Sequence, residues 1–319
     1  MSIALAILML VGGLAALIKG ADWLVDGASS LARRLGISPI VIGLTIVAFG
    51  TSAPELIVNL VAAFRGNTDI AIGNIVGSNL ANILLILGIA GLITPLVVKK
   101  NTVWKEIPLA LLACVLVLIM ASDALLTGRP ANTLDRIDGI VLIAFFIIFL
   151  YYTFGISKAE AEGENVETHP LAPTIGWIVA GLALLVVGGK FAVDGATDIA
   201  TSLGISERLI GLTVVAIGTS LPELLTSAVA ASKGKADIAI GNVVGSNIFN
   251  VFWILGVSSI LRPLPFSSGN LFDVFMAIGA SFLLFLAMFV GRKHLLERWQ
   301  SGAFIALYVA YVGFLVFTT

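Results

Sequence analysis

The sequence predicts an all-α integral membrane protein with ten transmembrane helices in two inverted five-helix repeats, with broken helices at the centre. Three observations carry this expectation. Of 319 residues, 59% are hydrophobic and only 12% charged, with a mean hydropathy of +1.08, whereas a soluble domain carries about a quarter charged residues. Residues Gly36–Val98 match Gly204–Phe266 without a gap, with about 35 of 63 positions identical. Each copy sets a glutamate directly after a proline inside an apolar segment, Pro54–Glu55 and Pro222–Glu223.

Helical spans of about 20 apolar residues are expected near 3–34, 37–64, 68–93, 104–122, 136–155, 174–202, 205–232, 237–261, 271–291 and 299–318. The opening Ile3–Ile18 reads as a retained span and not as a signal peptide. It lacks a basic start, and its equivalent recurs mid-chain at Ile175–Val187. The first and sixth spans are overlong and carry charges in their second halves, so they are expected to tilt or to lie partly in the interface. Residues 1–155 form the first unit and 174–319 the second. Between them, 156–173 is a polar linker holding Glu160, Glu162, Glu164 and Glu167. A calcium-sensing loop would need alternating Asp/Asn ligands, which it lacks.

Five spans per unit is an odd number, so the second unit enters the membrane upside down, the inverted-repeat plan of secondary transporters. With the N-terminus outside, the inner loops hold Arg33, Arg34, Lys99, Lys100, Lys105, Lys158, Lys233, Lys235, Arg292, Lys293 and Arg298. The outer loops hold only Arg65, Arg129, Arg136, Arg208 and Arg262. That asymmetry places both termini outside, and the acidic linker in the cytoplasm, of a multi-pass cell (inner or plasma) membrane protein.

The first motif runs from Gly43 to Glu55 and is mirrored by Gly211–Glu223. Pro54 has no N–H, so the carbonyl of Gly50 loses its helical partner, and Pro222 does the same to Gly218. Glycine at the break is expected to let the backbone turn there. Bare carbonyls survive in lipid only when buried or occupied, and a cation would occupy them. The second motif, Gly73–Asn82, is mirrored by Gly241–Asn250. Asn74, Ser78 and Asn82 are spaced four apart and fall on one helix stripe, as do Asn242, Ser246 and Asn250. With Glu55 and Glu223 these make an all-oxygen site suited to calcium or sodium, since the sulfur and imidazole that zinc or copper prefer are missing.

Several features have plainer accounts. Gly73/Gly77 and Gly241/Gly245 suit close helix packing. Thr45 and Thr213 suit bonds to their own helix backbone. Lys190 and Asp194 suit a local ion pair, and Cys114, in an apolar run, acts as a small hydrophobe. His169 and His294 lie in polar surroundings and relay no protons across the membrane. The net charge of −1 indicates no nucleic-acid partner, and no obligatory protein partner is evident. No metalloprotease motif, nucleotide loop or Ser/His pairing lies in the spans, so an enzyme is not expected and no cofactor is called for.

The two motifs resemble those of the cation/calcium exchanger superfamily, whose two repeats carry Gly-Thr-Ser-x-Pro-Glu followed by Gly-Asn-x-x-Gly-Ser-Asn. The setting of the glutamates is similar to that of the prokaryotic sodium/calcium exchanger branch. The resemblance implies calcium between Glu55 and Glu223, helped by the carbonyls of Thr51 and Thr219. It implies sodium sites that also use Ser52, Ser78, Ser220, Ser246 and the carbonyls of Ala48 and Ala216, with Asn82 and Asn250 completing the centre. Many such exchangers have aspartate where this chain has Asn250, so the centre is one potential charge poorer.

The function expected is antiport of Ca2+ against Na+ across the lipid bilayer, the two ions being transported ligands. The long first and sixth helices are candidates for the sliding gate. Proton/calcium exchange, potassium-dependent exchange and a calcium-permeable channel are the rival readings.

Overall fold

A computed structural model describes residues 2–126, 128, 131–156, 170–204 and 216–318. Among the described residues, eight helices are each long and apolar enough to cross a membrane. They are α1 (Ile3–Leu35), α4 (Thr68–Ile93), α5 (Lys100–Met120), α6 (Arg136–Ile156), α7 (Leu171–Ser202), α9 (Ala236–Leu261), α10 (Ser268–Ala287) and α11 (Arg298–Thr318). Taken together, α2 (Pro39–Thr51) and α3 (Ala53–Arg65), bent by 46° to one another, are long and apolar enough to be a ninth. A helical turn, Ala216–Thr219, leads into α8 (Leu221–Ser232). The first part of the expected seventh span, 205–215, lies outside the described residues, as do 157–169 of the linker and Arg129, Arg208 and Thr213.

α4 and α9 are the inner layer, with 78% and 94% of their most apolar windows buried, against 22% for α1 and 28% for α7. Their composition requires it: asparagines and serines cannot face hydrocarbon and must find partners inside. α10 and α11 cover α4, while α2, α5 and α6 cover α9. α1 and α7 form an outer pair along one another. A Cβ on Gly20 would lie 2.8 Å from the Gly181 carbonyl, and one on Gly188 the same distance from that of Gly13. The two backbones therefore touch through glycines seven residues apart, a packing stripe of small residues.

Two short ladders tie the halves together. Strand β1 (Leu96–Val97) pairs with β4 (Leu295–Leu296), and β2 (Thr133–Leu134) pairs with β3 (Leu264–Pro265), both antiparallel. Each ladder joins the segment after the third span of one half to the one between the fourth and fifth spans of the other. α10 ends at Ala287, short of the expected 291.

Two sequence expectations change here. Gly50 does not supply the bend: it sits inside a helical turn, and Ser52 is the non-helical residue, at φ −82°, ψ 8°. Gly50 instead makes room for α7, since a Cβ there would meet the end of the Leu182 side chain. Lys190 and Asp194 do not pair with each other; an exposed pair one helical turn apart gains too little to hold two side chains together. The helices also widen into π-helical turns at Gly43–Val47, Ala81–Ile86 and Phe249–Leu255, which no residue periodicity announces. Thr45 does bond its own helix, donating to the Val41 carbonyl at 2.6 Å.

Ion pairs fasten α1 to the loop after α8. Lys233 reaches Asp22 at 2.6 Å and Asp26 at 2.8 Å, and Lys235 reaches Asp26 at 2.9 Å. Partial burial works against the Lys233 ammonium, but its two aspartates outweigh that and hold its pKa above the ordinary lysine range. The stabilisation is thus complete below lysine's usual titration and lost only as pH climbs through the raised value. Lys233→Gln is expected to lower the melting temperature by about 2 °C, for a network worth about 1 kcal/mol. The difference between parent and variant should be flat through neutral pH and vanish in strong alkali, as followed by thermal melts in detergent.

Candidate ion-binding site

Each glutamate sits in the first turn of a helix that restarts after a break. Ser52 (ψ 8°) and Ser220 (φ −88°, ψ 4°) interrupt the two chains, and Pro54 and Pro222 occupy first-turn positions where a missing N–H costs nothing. Glu55 and Glu223 follow, both 1% exposed, at the positive ends of the α3 and α8 dipoles.

The hydroxyls preceding the two carboxylates are exchanged between the halves. Ser52 donates to Glu223 Oε1 at 2.9 Å, and Ser220 donates to Glu55 Oε1 at 3.4 Å. Ser78 also donates to Glu55 Oε1 at 3.3 Å, and Ser246 to Glu223 Oε1 at 3.4 Å. One oxygen of each carboxylate thus takes two hydroxyls. The other, Oε2 in both, is buried without a partner. Asn82 Oδ1, Asn250 Oδ1 and Thr219 Oγ1 are likewise buried and unpartnered. Among the described residues no lysine or arginine pairs with either glutamate. Two carboxylates in a dry interior with no protein cation beside them, and unused lone pairs around them, make a chemically incomplete cluster. A hard cation completes it, for the unused atoms are oxygens.

The remaining expected residues divide by where their polar atoms go. Asn242 is spent within the protein: its Nδ2 donates to the Glu223 carbonyl at 3.2 Å and to Ser227 at 3.0 Å, and its Oδ1 accepts from Thr51 at 2.9 Å. Asn74 Nδ2 donates to the Glu55 carbonyl at 3.3 Å and to Asn59 at 2.7 Å. These two asparagines brace the restarted helices, so the stripe drawn from four-residue spacing is not one column of free ligands. Asn82 leaves that stripe because the π-helical turn begins at Ala81; its Nδ2 meets Asn247 of the other half. The Ala48 carbonyl already accepts the Ser52 N–H at 3.0 Å, and the Ser220 N–H donates to the Ile217 carbonyl at 3.1 Å. Among the described residues no backbone N–H of α3 or α8 closes onto the carbonyls of Thr51 and Thr219.

Sequence reasoning missed Asn59 and Ser227, four residues beyond each glutamate, and Asn79 and Asn247 of the Gly-Ser-Asn triplets. All four are buried. The signal for them was present, since a polar residue occupies each position in both repeats.

The family model described as Sodium/calcium exchanger protein matches residues 5–155 and 173–317. The chain is 33% identical over 343 residues to the sodium/calcium exchanger MaX1 of Methanosarcina acetivorans, covering 96% of this chain and 97% of that protein. It is 40% identical over 270 residues to the inner membrane protein YrbG of Escherichia coli K12, covering 81% of each. It superposes on the solved sodium-calcium exchanger NCX_Mj, soaked with 10 mM Na+ and no Ca2+, with a TM-score of 0.85 and 35% identity, covering 98% of this chain and 99% of the other.

Proposed function

The chain belongs to the sodium/calcium exchanger family, in its prokaryotic branch, and from that membership we propose that it exchanges Ca2+ for Na+ across the membrane by alternating access, with the ions bound between Glu55 and Glu223. The observation that carries this is the exchange of Ser52 and Ser220 between the two carboxylates, which leaves Oε2 of each glutamate buried and unused. Calcium lies between these oxygens, with the Thr51 and Thr219 carbonyls. Sodium ions draw also on Ser52, Ser78, Ser220, Ser246 and the carbonyls of Ala48 and Ala216.

Ten spans in two inverted halves accommodate the ladders. With both termini outside, β1 and β4 fall on the inner side and β2 and β3 on the outer side, so every paired segment shares a face. Lys99 and Asp237, 2.6 Å apart, also fall together on the inner side. The α1–α7 pair, joined backbone to backbone on the outside of the inner layer, is the element that slides.

Coupling follows from charge. An empty site would carry two ionised carboxylates through a closed state, at a cost of at least several kcal/mol. That slows return of the empty carrier roughly a thousandfold or more. One calcium or two or more sodium ions remove the penalty, so exchange becomes obligatory.

Radioactive calcium uptake into proteoliposomes tests this, with sodium, potassium and proton gradients imposed one at a time. Uptake driven by a sodium gradient alone is expected. Uptake driven only by a pH gradient in sodium-free buffer would replace sodium by protons. A strict need for potassium would enlarge the cargo, and flux without any counter-ion would mean a channel.

A further inference from the structure

An asparagine side chain presents oxygen at one end and NH2 at the other, and only its neighbours decide which end points where. At the contact between the two repeats that decision is made by the backbone. Asn79 Nδ2 donates to the main-chain carbonyl of Asn247 at 3.3 Å, and Asn247 Nδ2 donates to that of Asn79 at 3.4 Å. A carbonyl only accepts, so each of these amides must turn its NH2 toward it. The oxygen of each then faces the other pair. Asn250 Nδ2 donates to Asn79 Oδ1 at 3.0 Å, and Asn82 Nδ2 donates to Asn247 Oδ1 at 2.9 Å. With their NH2 groups turned to those oxygens, Asn82 and Asn250 present Oδ1 at the opposite side, and both oxygens are buried without a partner. All four side chains are 2% exposed or less, so water does not compete for these positions.

We propose that Asn79 and Asn247 are positioning residues that lock Asn250 and Asn82 with their oxygens toward the ion centre. The proposal rests on the reading above that Asn82 and Asn250 complete that centre. It explains how two neutral amides serve where a carboxylate could: an amide turned the other way would aim NH2 at a cation and repel it. The lock makes the reversed state unavailable, because reversing one amide would bring two acceptors together in a dry contact.

The test uses the full chain with the partner residue varied. Loss of an orienting partner outside the ligand set typically costs 10–100-fold in metal affinity. Asn79→Leu is therefore expected to raise the calcium KM of exchange at least tenfold with a smaller change in kcat. It should also remove most of the calcium-induced rise in melting temperature in detergent. Asn79→Ser is expected to act in the same direction if the leucine variant does not fold, because a hydroxyl accepts or donates equally and imposes no orientation.

The decisive arm is a double variant. If Asn79 acts through Asn250, adding Asn79→Ser to Asn250→Ala should cost little beyond Asn250→Ala alone, because the amide it orients is already gone. Loss of packing would instead add to the first loss. Parent-like calcium binding by Asn79→Ser and Asn247→Ser, or additive losses with Asn250→Ala, would overturn the proposal. Parent-like binding by Asn82→Ala and Asn250→Ala would instead remove the reading beneath it.

Discussion

Glu223→Gln is expected to reduce sodium-driven calcium uptake by more than a hundredfold while leaving the protein folded, and Glu55→Gln to do the same. The substitution is isosteric. An amide oxygen in place of Oε1 still accepts from Ser52 and Ser246, so the contacts between the halves remain. The other position becomes NH2, and a donor then stands where an unused acceptor faced the centre. The site also drops from two negative charges to one. At a separation of about 4 Å and an effective dielectric constant of about 20, one charge interacting with another is worth about 4 kcal/mol, and doubly charged calcium loses more. Each 1.4 kcal/mol is tenfold in affinity, so a hundredfold loss is a lower bound.

The same change relieves repulsion between two buried carboxylates when no ion is bound. The glutamine variants are therefore expected to melt no lower than the parent in chelator, and to show no stabilisation on adding calcium. Calcium uptake and paired melts check both parts. Normal exchange by either variant would end the proposal that the two glutamates hold the cargo.

The second large effect is expected at Gly245. A Cβ there would lie 2.7 Å from the Leu44 carbonyl and 2.8 Å from the Ala48 Cβ, and one at Gly241 2.9 Å from the Ile40 carbonyl. Here α9 lies directly on α2, so the main chains of opposite repeats touch within one turn of the motif that carries Ala48 and Thr51. Nothing flexible stands in the way to yield. Gly245→Val is expected to cost about 1–3 kcal/mol, the usual range for overpacking a tight interior. It should also displace Ser246, which sits beside it and donates to Glu223. Expression, melting temperature and calcium uptake should all fall, in contrast to the glutamine variants, which lose uptake alone. A Gly245→Val protein with parent melting temperature and uptake would show that the helices do not approach this closely.

Much of this molecule was legible before any coordinates. The spans follow from hydropathy, since lipid admits only helices long and apolar enough to satisfy their own backbones, and α4 and α9 end where they were expected to. Glu55 and Glu223 stood out because a carboxylate within an apolar stretch needs a counter-charge, and its surroundings recur in the second repeat. Asn74 and Asn242 show where this reasoning stops. Four-residue spacing places them on the stripe of Ser78 and Ser246, but their amides brace the main chain at Glu55 and Glu223.

What the chain determined by itself was local and periodic: which segments enter the membrane, which residues are too polar to face it, and that two copies of one unit are present. Tertiary structure alone decided which polar atoms consume one another and which stay open. Ser52 belongs to Glu223 and not to its neighbour Glu55, and Asn82 turns to Asn247, because the partners come from the opposite repeat, some 165 to 171 positions away. A hydrogen bond is spent or free according to atoms within about 3 Å in space, and linear order says nothing about those.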